Sequence, residues 1–393
     1  MNAKLFSTLS LTFLSLLIFG QTRYLDEIFS QVDITSDVQY GTAIDLQGDT
    51  AFLKADIYTP AGDTVSHRPA VILMHGGFFL AGTKEDVEMD VLCRGFAKRG
   101  YVAISIQYRL GANLLAPDLE EEFSIAAIRA VQDLKGAVRF FRESSALGDP
   151  YGLDGQVIFT GGYSAGAIAA IHAAYLTPQD AIEPWLDTAI QNLGGIEGSI
   201  GNLSISSESS GVLNLSGGIF DLDFIQGTDP FMASVHGDQD GTVPFDSGTI
   251  SLAGFNIIDL YGSNSMYINF PFQTSLLSLP GEDHYPLQNI NLRDTIVQFY
   301  ADFMFSSFNP NNLHTVESGS FEFSIYPNPA NSFMTVQCDQ TIRTAELRDY
   351  TGRVLKTYNA AQGIERIDVS LLPKGMYSLY FPEINRVEKI VIQ

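Results

Sequence analysis

A serine set between glycines, Gly162-Tyr163-Ser164-Ala165-Gly166, is the segment of this chain whose residue types most directly suggest chemistry. It fits the G-x-S-x-G pattern, in which a sharp strand-to-helix turn exposes a hydroxyl at a helix N-terminus. The dipole there favours developing negative charge. The predicted context agrees: a strand over Gln156–Thr160 precedes the serine and a small-residue helix over Ala165–Tyr175 follows it. Gly162 and Gly166 remove side chains that would collide with that strand and helix. Ser164 is therefore the candidate nucleophile.

A hydroxyl of ordinary pKa is a poor nucleophile and needs a base. The chain has six histidines. His284, in Gly281-Glu282-Asp283-His284, follows a predicted strand over Ser275–Leu279 and precedes the last predicted helix. That puts it at the same sheet edge as Ser164 and makes it the candidate base. His75 and His236 are expected to brace loops, and His172 to be packed on the helix after Ser164. His67 falls in a loop and His314 in a linker. An imidazole base needs an acid to fix its tautomer and stabilise its cation. Two aspartates compete in the loop His236–Pro244, which follows a predicted strand at Met232–His236. Asp240 lies deeper in the loop and is the expected acid; Asp238 is the expected turn cap. Backbone N–H groups that could hold an oxyanion are expected at Gly77 and Phe78, in His75-Gly76-Gly77-Phe78, and at Ala165. Phe78, Phe79, Tyr163 and Trp185 are candidates to line an apolar substrate pocket or to serve as packing.

The elements that must position these residues alternate. Edge strands are expected at Val38–Ile44 and Phe52–Tyr58, and a buried strand at Ala70–Met74. A helix at Val87–Lys98 and a strand at Tyr101–Tyr108 follow. Ile125–Arg142 carries Ile125, Ile128, Val131, Leu134, Val138 and Phe141 on one helical face. Further strands are expected at Val212–Ser216, Met232–His236 and Ser275–Leu279, and a final helix at Leu292–Phe305. Strands alternating with helices imply a mostly parallel sheet covered on both faces, with active loops at the strands' C-terminal ends. The Gly- and Ser-rich stretch 178–210 is either a surface excursion or a lid.

The bulk numbers bound the rest. The chain has 393 residues, enough for two domains, and 45% hydrophobic residues, the composition of a folded protein. Its net charge of −23 disfavours nucleic acid and anionic lipid surfaces as partners. Residues 1–20, with Lys4 before the apolar run Leu5–Phe19, read as a signal peptide. No later stretch reads as a membrane span. Cys93 and Cys338 fall in different expected domains, so no disulfide is expected between them, and no cluster of metal-binding spacing is seen. The expected division is a catalytic domain over 21–308, a linker over 309–320 around Asn309-Pro310-Asn311-Asn312, and a small all-β sandwich over 321–393.

Two resemblances follow from these motifs. The His-Gly-Gly-Phe loop, the Gly162–Gly166 segment, the His236–Pro244 loop and Asp283-His284 resemble the carboxylesterase branch of the α/β-hydrolase family over roughly 35–308. The order Ser164, Asp240, His284 matches that family's order of nucleophile, acid and base. Phe78 stands where lipase-type members often carry a third glycine. The resemblance implies the α/β-hydrolase fold and ester hydrolysis through an acyl-enzyme, with no cofactor and no metal. It leaves open esters on polysaccharide, lipid or polyester. A peptidase of the same fold and a binding protein on an inactive scaffold are the rival readings. The tail segments Tyr326-Pro327-Asn328-Pro329-Ala330, Gly352-Arg353-Val354-Leu355, Leu372–Tyr377 and Lys389–Gln393 resemble the sorting domain of the type IX secretion system. That implies the secretion machinery as a partner and export to the surface of a Bacteroidetes-type cell. A carbohydrate-binding sandwich is the rival reading there.

Overall fold

The computed structural model describes residues 22–308, except 253 and 272, and residues 323–392, except 339–340, 349–353, 361–362 and 382–385. The expected signal peptide and linker lie outside the described residues.

The first body is a helix-covered sheet. In chain order its elements are β1 (Val32–Ile44), β2 (Thr50–Pro60), β3 (Arg68–Met74), α1 (Val87–Ala97), β4 (Val102–Ile106), α2 (Leu119–Ala146), β5 (Leu153–Tyr163), α3 (Ala165–Tyr175) and α4 (Pro184–Asn192). They continue with β6 (Val212–Leu215), β7 (Gly218–Ile219), β8 (Met232–Gly237), β9 (Ser247–Leu252), β10 (Phe255–Gly262), α5 (Ser263–Asn269), β11 (Thr274–Leu279) and α6 (Arg293–Ser307). The eight-stranded sheet runs β1-β2-β4-β3-β5-β6-β8-β11. The contacts β1–β2 and β2–β4 are antiparallel, and from β4 to β11 every neighbouring pair is parallel.

Period-two alternation explains the two covering layers. Ala70, Ile72 and Met74 of β3, with Ile104 and Ile106 of β4, face the core shared with α2 and α3. Val71 and Leu73 of β3 and Ala103 of β4 face the core shared with α1 and α6. A strand buried on both faces has to be apolar throughout, as Arg68–Met74 nearly is.

Two elements differ from the expectation. Helix α2 starts six residues before Ile125, because Asp118 caps it by accepting from the Glu121 amide at 3.1 Å. Glu120, Glu121 and Glu122 suit the positive end of its dipole, although they show no apolar periodicity. The stretch 178–210 holds α4, which begins with Pro184 at its first turn. This stretch is fastened to α2. Gln132 donates to the carbonyls of Leu193 (3.0 Å) and Gly195 (2.7 Å), and the buried Arg139 pairs with Glu197 at 2.6 Å. It is a packed surface excursion on α2.

The second body holds strands β12 (Phe323–Tyr326), β13 (Phe333–Cys338), β14 (Thr344–Arg348), β15 (Val354–Asn359), β16 (Arg366–Asp368), β17 (Gly375–Phe381) and β18 (Arg386–Ile392). They form two small sheets, β12-β13-β16 and β15-β14-β17-β18, with every named pairing antiparallel. Met334, Ile367, Leu347, Leu379 and Ile390 of the two sheets share one apolar core. Cys93 is a buried free thiol. No helix among the described residues is long and apolar enough to cross a membrane.

Candidate active site

Ser164 sits between β5 and α3 with φ 54° and ψ −120°, a left-handed conformation that a non-glycine residue holds only when its surroundings enforce it. The Ser164 amide donates to the Leu215 carbonyl of β6 at 2.8 Å, which anchors the turn from below. The flanking glycines are required by close approach. A Cβ on Gly166 would overlap the carbonyl oxygens of Met74 and His75, and one on Gly162 would overlap the Gly166 backbone. The β5–α3 turn is therefore pressed against the end of β3, where the His75-Gly76-Gly77-Phe78 loop begins.

That loop passes beside the serine. A Cβ on Gly76 would lie 2.9 Å from the Tyr163 ring and 3.2 Å from Ser164 Cβ. Gly77, Phe78 and Phe79 have φ of 111°, 56° and 58° in succession. Such a run needs support, and the Gly77 carbonyl accepts from the Leu80 (2.9 Å) and Ala81 (3.1 Å) amides. His75 braces the loop as expected. It is fully buried, its Nδ1 lies 2.7 Å from the Gly76 carbonyl oxygen, and its ring stacks on Tyr108 at 4.3 Å. Among the described residues, no acceptor takes a hydrogen bond from the amides of Gly77, Phe78 or Ala165.

His284 lies in the loop after β11, buried to 2% exposure. Its Nε2 is 2.9 Å from Ser164 Oγ, and its Nδ1 is 2.7 Å from Asp240 Oδ2. Asp240 comes from the loop after β8, and its carboxylate is fully buried. Asp240 Oδ1 accepts from the Thr242 (2.8 Å) and Val243 (2.9 Å) amides. Burial alone would raise its pKa; hydrogen bonds from His236 and His284 outweigh this and hold the group well below the usual carboxylate range. Asp240 is thus an anion at neutral pH, aimed at the far side of the imidazole.

The competing aspartate is elsewhere. Asp238 Oδ1 accepts from the Gly281 amide at 2.7 Å and so ties the β8 loop to the β11 loop. Asp283 does the same in reverse, accepting from the Gly241 (3.0 Å) and His284 (2.7 Å) amides. The Tyr163 hydroxyl donates to the His284 carbonyl at 3.1 Å. Asp283 was visible in sequence only as a neighbour of the histidine, and its cross-loop bonds have no sequence signal.

A narrow apolar pocket opens beside Ser164. Phe78, Phe79, Phe123, Ile168, Phe220 and Ile257 are among its lining residues, with Ser164 and Ala165 at its floor. This corrects two expectations. Tyr163 faces the His284 loop instead of the cavity, because the residue before Ser164 points to the opposite side of β5. Trp185, on α4, packs against the α2 side of the core. Sequence reading also missed the hairpin β9–β10, which supplies Ile250, Ile257 and Ile258 to the cavity wall. Its available signal was two short alternating runs separated by Ala253-Gly254. His172 positions another wall residue: its Nδ1 lies 2.7 Å from the Ile168 carbonyl oxygen and its Nε2 accepts from the Phe220 amide at 3.2 Å. Burial pushes His172 down to about 4, so it is neutral and can accept that bond at pH 7.

Residues 55–200 match the BD-FAE family, and residues 324–393 match the Secretion system C-terminal sorting domain. BD-FAE is an esterase family, and the match supports a carboxylic ester hydrolase. The BD-FAE match includes the His-Gly-Gly-Phe loop and Ser164 and ends before Asp240 and His284. The fold is that of the α/β-hydrolases. A truncated carbohydrate esterase from gut microbiota shares it at 20% identity and a TM-score of 0.50, over 72% of this chain and 98% of that one. Esterase 2 of the Planctomycetes species Thermogutta terrifontis is less similar. Its propionate-bound form has 21% identity and a TM-score of 0.46, over 67% of this chain and 92% of that one. No curated protein is detectably similar to the chain in sequence.

Proposed function

We propose that this hydrolase cleaves carboxylic esters by two-step acyl transfer, with Ser164 as nucleophile, His284 as general base and acid, and Asp240 as its anionic partner. The observation that carries this reading is the unbroken line Ser164 Oγ, His284 Nε2, His284 Nδ1, Asp240 Oδ2, at 2.9 Å and 2.7 Å. His284 takes the hydroxyl proton as Ser164 Oγ bonds to the ester carbonyl carbon. The carbonyl oxygen becomes an anion held by the N–H groups of Gly77, Phe78 and Ala165. His284 then gives its proton to the leaving alcohol, and water repeats the sequence on the acyl-enzyme to release the acid. The Asp240 anion stabilises the imidazolium formed in both steps.

The apolar cavity receives the acyl group. It suits a compact hydrocarbon or aryl acyl group, carried on polysaccharide, lipid or polyester. The sorting tail, together with the expected signal peptide, delivers the enzyme to the outside of the cell or to its surface. A fluorophosphonate probe separates this reading from an inactive binding scaffold. The expected result is one phosphonyl group per chain, located on Ser164 by mass spectrometry. An unlabelled, folded protein overturns the reading. The pocket assignment has its own test in Ile257→Phe, which reduces the cavity. The ratio of kcat/KM for p-nitrophenyl butyrate to that for the acetate should fall by about tenfold, the scale at which pockets discriminate methylenes. An unchanged ratio places the acyl group elsewhere.

A further inference from the structure

Asp240 has a second imidazole partner. His236, at the end of β8 and fully buried, brings its Nε2 to 3.1 Å from Asp240 Oδ2, the oxygen that also receives His284. The same Nε2 lies 3.2 Å from the Val243 carbonyl oxygen. A carboxylate and a carbonyl only accept, so Nε2 carries a proton.

The far side of the ring is fixed just as tightly. Nδ1 of His236 lies 2.7 Å from Ser263 Oγ. Ser263 Oγ in turn accepts from Asn214 Nδ2 at 3.0 Å, which leaves its own proton free to point at His236 Nδ1. The Asn214 amide cannot be reversed, because its Oδ1 accepts from the Gly217 amide at 2.9 Å. Its other Nδ2 proton goes to Ser234 Oγ at 3.0 Å. Asn214, Ser263 and His236 are all fully buried. The Asn214 and Nε2 protons are fixed by these contacts, and a neutral His236 ring then accepts the Ser263 hydroxyl proton at Nδ1.

We infer that Asn214, Ser263 and His236 form a buried positioning relay that holds His236 as its Nε2–H tautomer and, through that proton, orients Asp240 Oδ2 towards His284. The inference rests on the role proposed above for Asp240. The Nε2 proton is shared: it bonds to the Val243 carbonyl oxygen and stands 3.1 Å from Asp240 Oδ2, so the carboxylate has two amides on Oδ1, His284 on Oδ2 and this shared donor beside it. Oδ2 cannot rotate away from His284 without abandoning His236. The donor also withdraws charge from the carboxylate, so the imidazolium of His284 is stabilised less than an unshared anion would stabilise it. Within hydrogen-bond range of Asp240, the titratable groups among the described residues are these two histidines. Tyr163 and Tyr285 flank His284 with ring centroids at 5.3 Å and 5.1 Å.

The test uses the full chain and three variants. His236→Leu removes the donor, His236→Gln restores an N–H at nearly the same place, and Ser263→Ala removes only the group that sets the tautomer. For His236→Leu the expected result is a kcat about 10- to 100-fold lower with KM little changed, the worth of one hydrogen bond to a charged group. The acid limb of its kcat/KM profile should move to higher pH, because the unshared carboxylate holds the imidazolium more strongly. His236→Gln should recover most of kcat and return the limb. Ser263→Ala should show the same displacement in smaller degree. Fluorophosphonate titration counts the competent sites, so misfolded protein is not scored as slow enzyme. If the folded Ser263→Ala and His236→Leu enzymes both keep the original kcat and pH profile, the relay has no role. If Gln fails to rescue while Leu is impaired, the histidine acts by packing. In either case Ser164→Ala is assayed alongside: its inactivity keeps the acyl-transfer reading standing while the relay falls.

Discussion

Ser164→Ala is expected to lower kcat/KM for short p-nitrophenyl esters by about 10⁵- to 10⁶-fold while the protein keeps its melting temperature. The magnitude follows from how such sets behave: once the nucleophile is gone, the base and acid have nothing to activate, and only about 10³- to 10⁴-fold over water survives from oxyanion donors and binding. Stability should be nearly unaffected, because the fold's demands at this turn fall on the backbone and on Gly162 and Gly166, whose missing side chains admit the carbonyls of Met74 and His75. Among the described residues, Ser164 Oγ bonds to His284 and to no structural partner. Alanine must still adopt φ 54°, a strain the serine already bears. Initial rates on the purified full chain, with a thermal melt, check both halves. Residual activity above one-hundredth of the parent enzyme would remove Ser164 from the mechanism.

Asp240→Asn should reduce kcat by about 10,000-fold, because the amide presents a donor where His284 Nδ1–H needs an acceptor and so favours the wrong tautomer. The expectation is sharpened by a neighbour two residues away. Asp238→Asn keeps an oxygen for the Gly281 amide, and its kcat should change by less than about tenfold, as for a loop-bracing contact. Comparable losses in the two variants would mean that the β8 loop matters only as a structural unit. Asp240→Asn also has a consequence in acid. In the parent enzyme Asp240 is ionised in the folded state to lower pH than in the unfolded chain, because hydrogen bonds from His236 and His284 outweigh its burial. Its contribution to stability is present above the unfolded carboxylate pKa and is lost as pH falls through the depressed folded value.

The parallel core strands were legible because burial on both faces leaves an unbroken apolar run, as in Ala70–Met74, and because the helices between them keep a clear period. Helix α3 and the segment around Ser164 were legible for a different reason: a glycine pattern reports backbone close approach directly. The parts that escaped are held by contacts distant in sequence. The first turn of α2 is made by a cap and acidic residues instead of apolar spacing. Tyr163 and Trp185 are aromatic residues that would suit a pocket equally well, and only the side of β5 and the seat of α4 decide against them. His236 was read as a loop brace, which it is, but its second contact with Asp240 depends on the fold of a loop that no periodicity describes. The hairpin β9–β10 carries Ile250 and Ile257 inwards while its other face is exposed, a pattern too short to stand out from the surrounding turn residues.

That hairpin joins the rest of the molecule through a two-residue pairing with β7 and through packing on α2, outside the eight-stranded sheet. The sheet and its loops carry Ser164, Asp240 and His284; the hairpin carries a wall of the chamber. Substitutions in it can accumulate without disturbing the strands that aim Ser164, Asp240 and His284. Selectivity and reactivity are thereby inherited on separable pieces of the chain, and a descendant can change its diet by redrawing one ribbon.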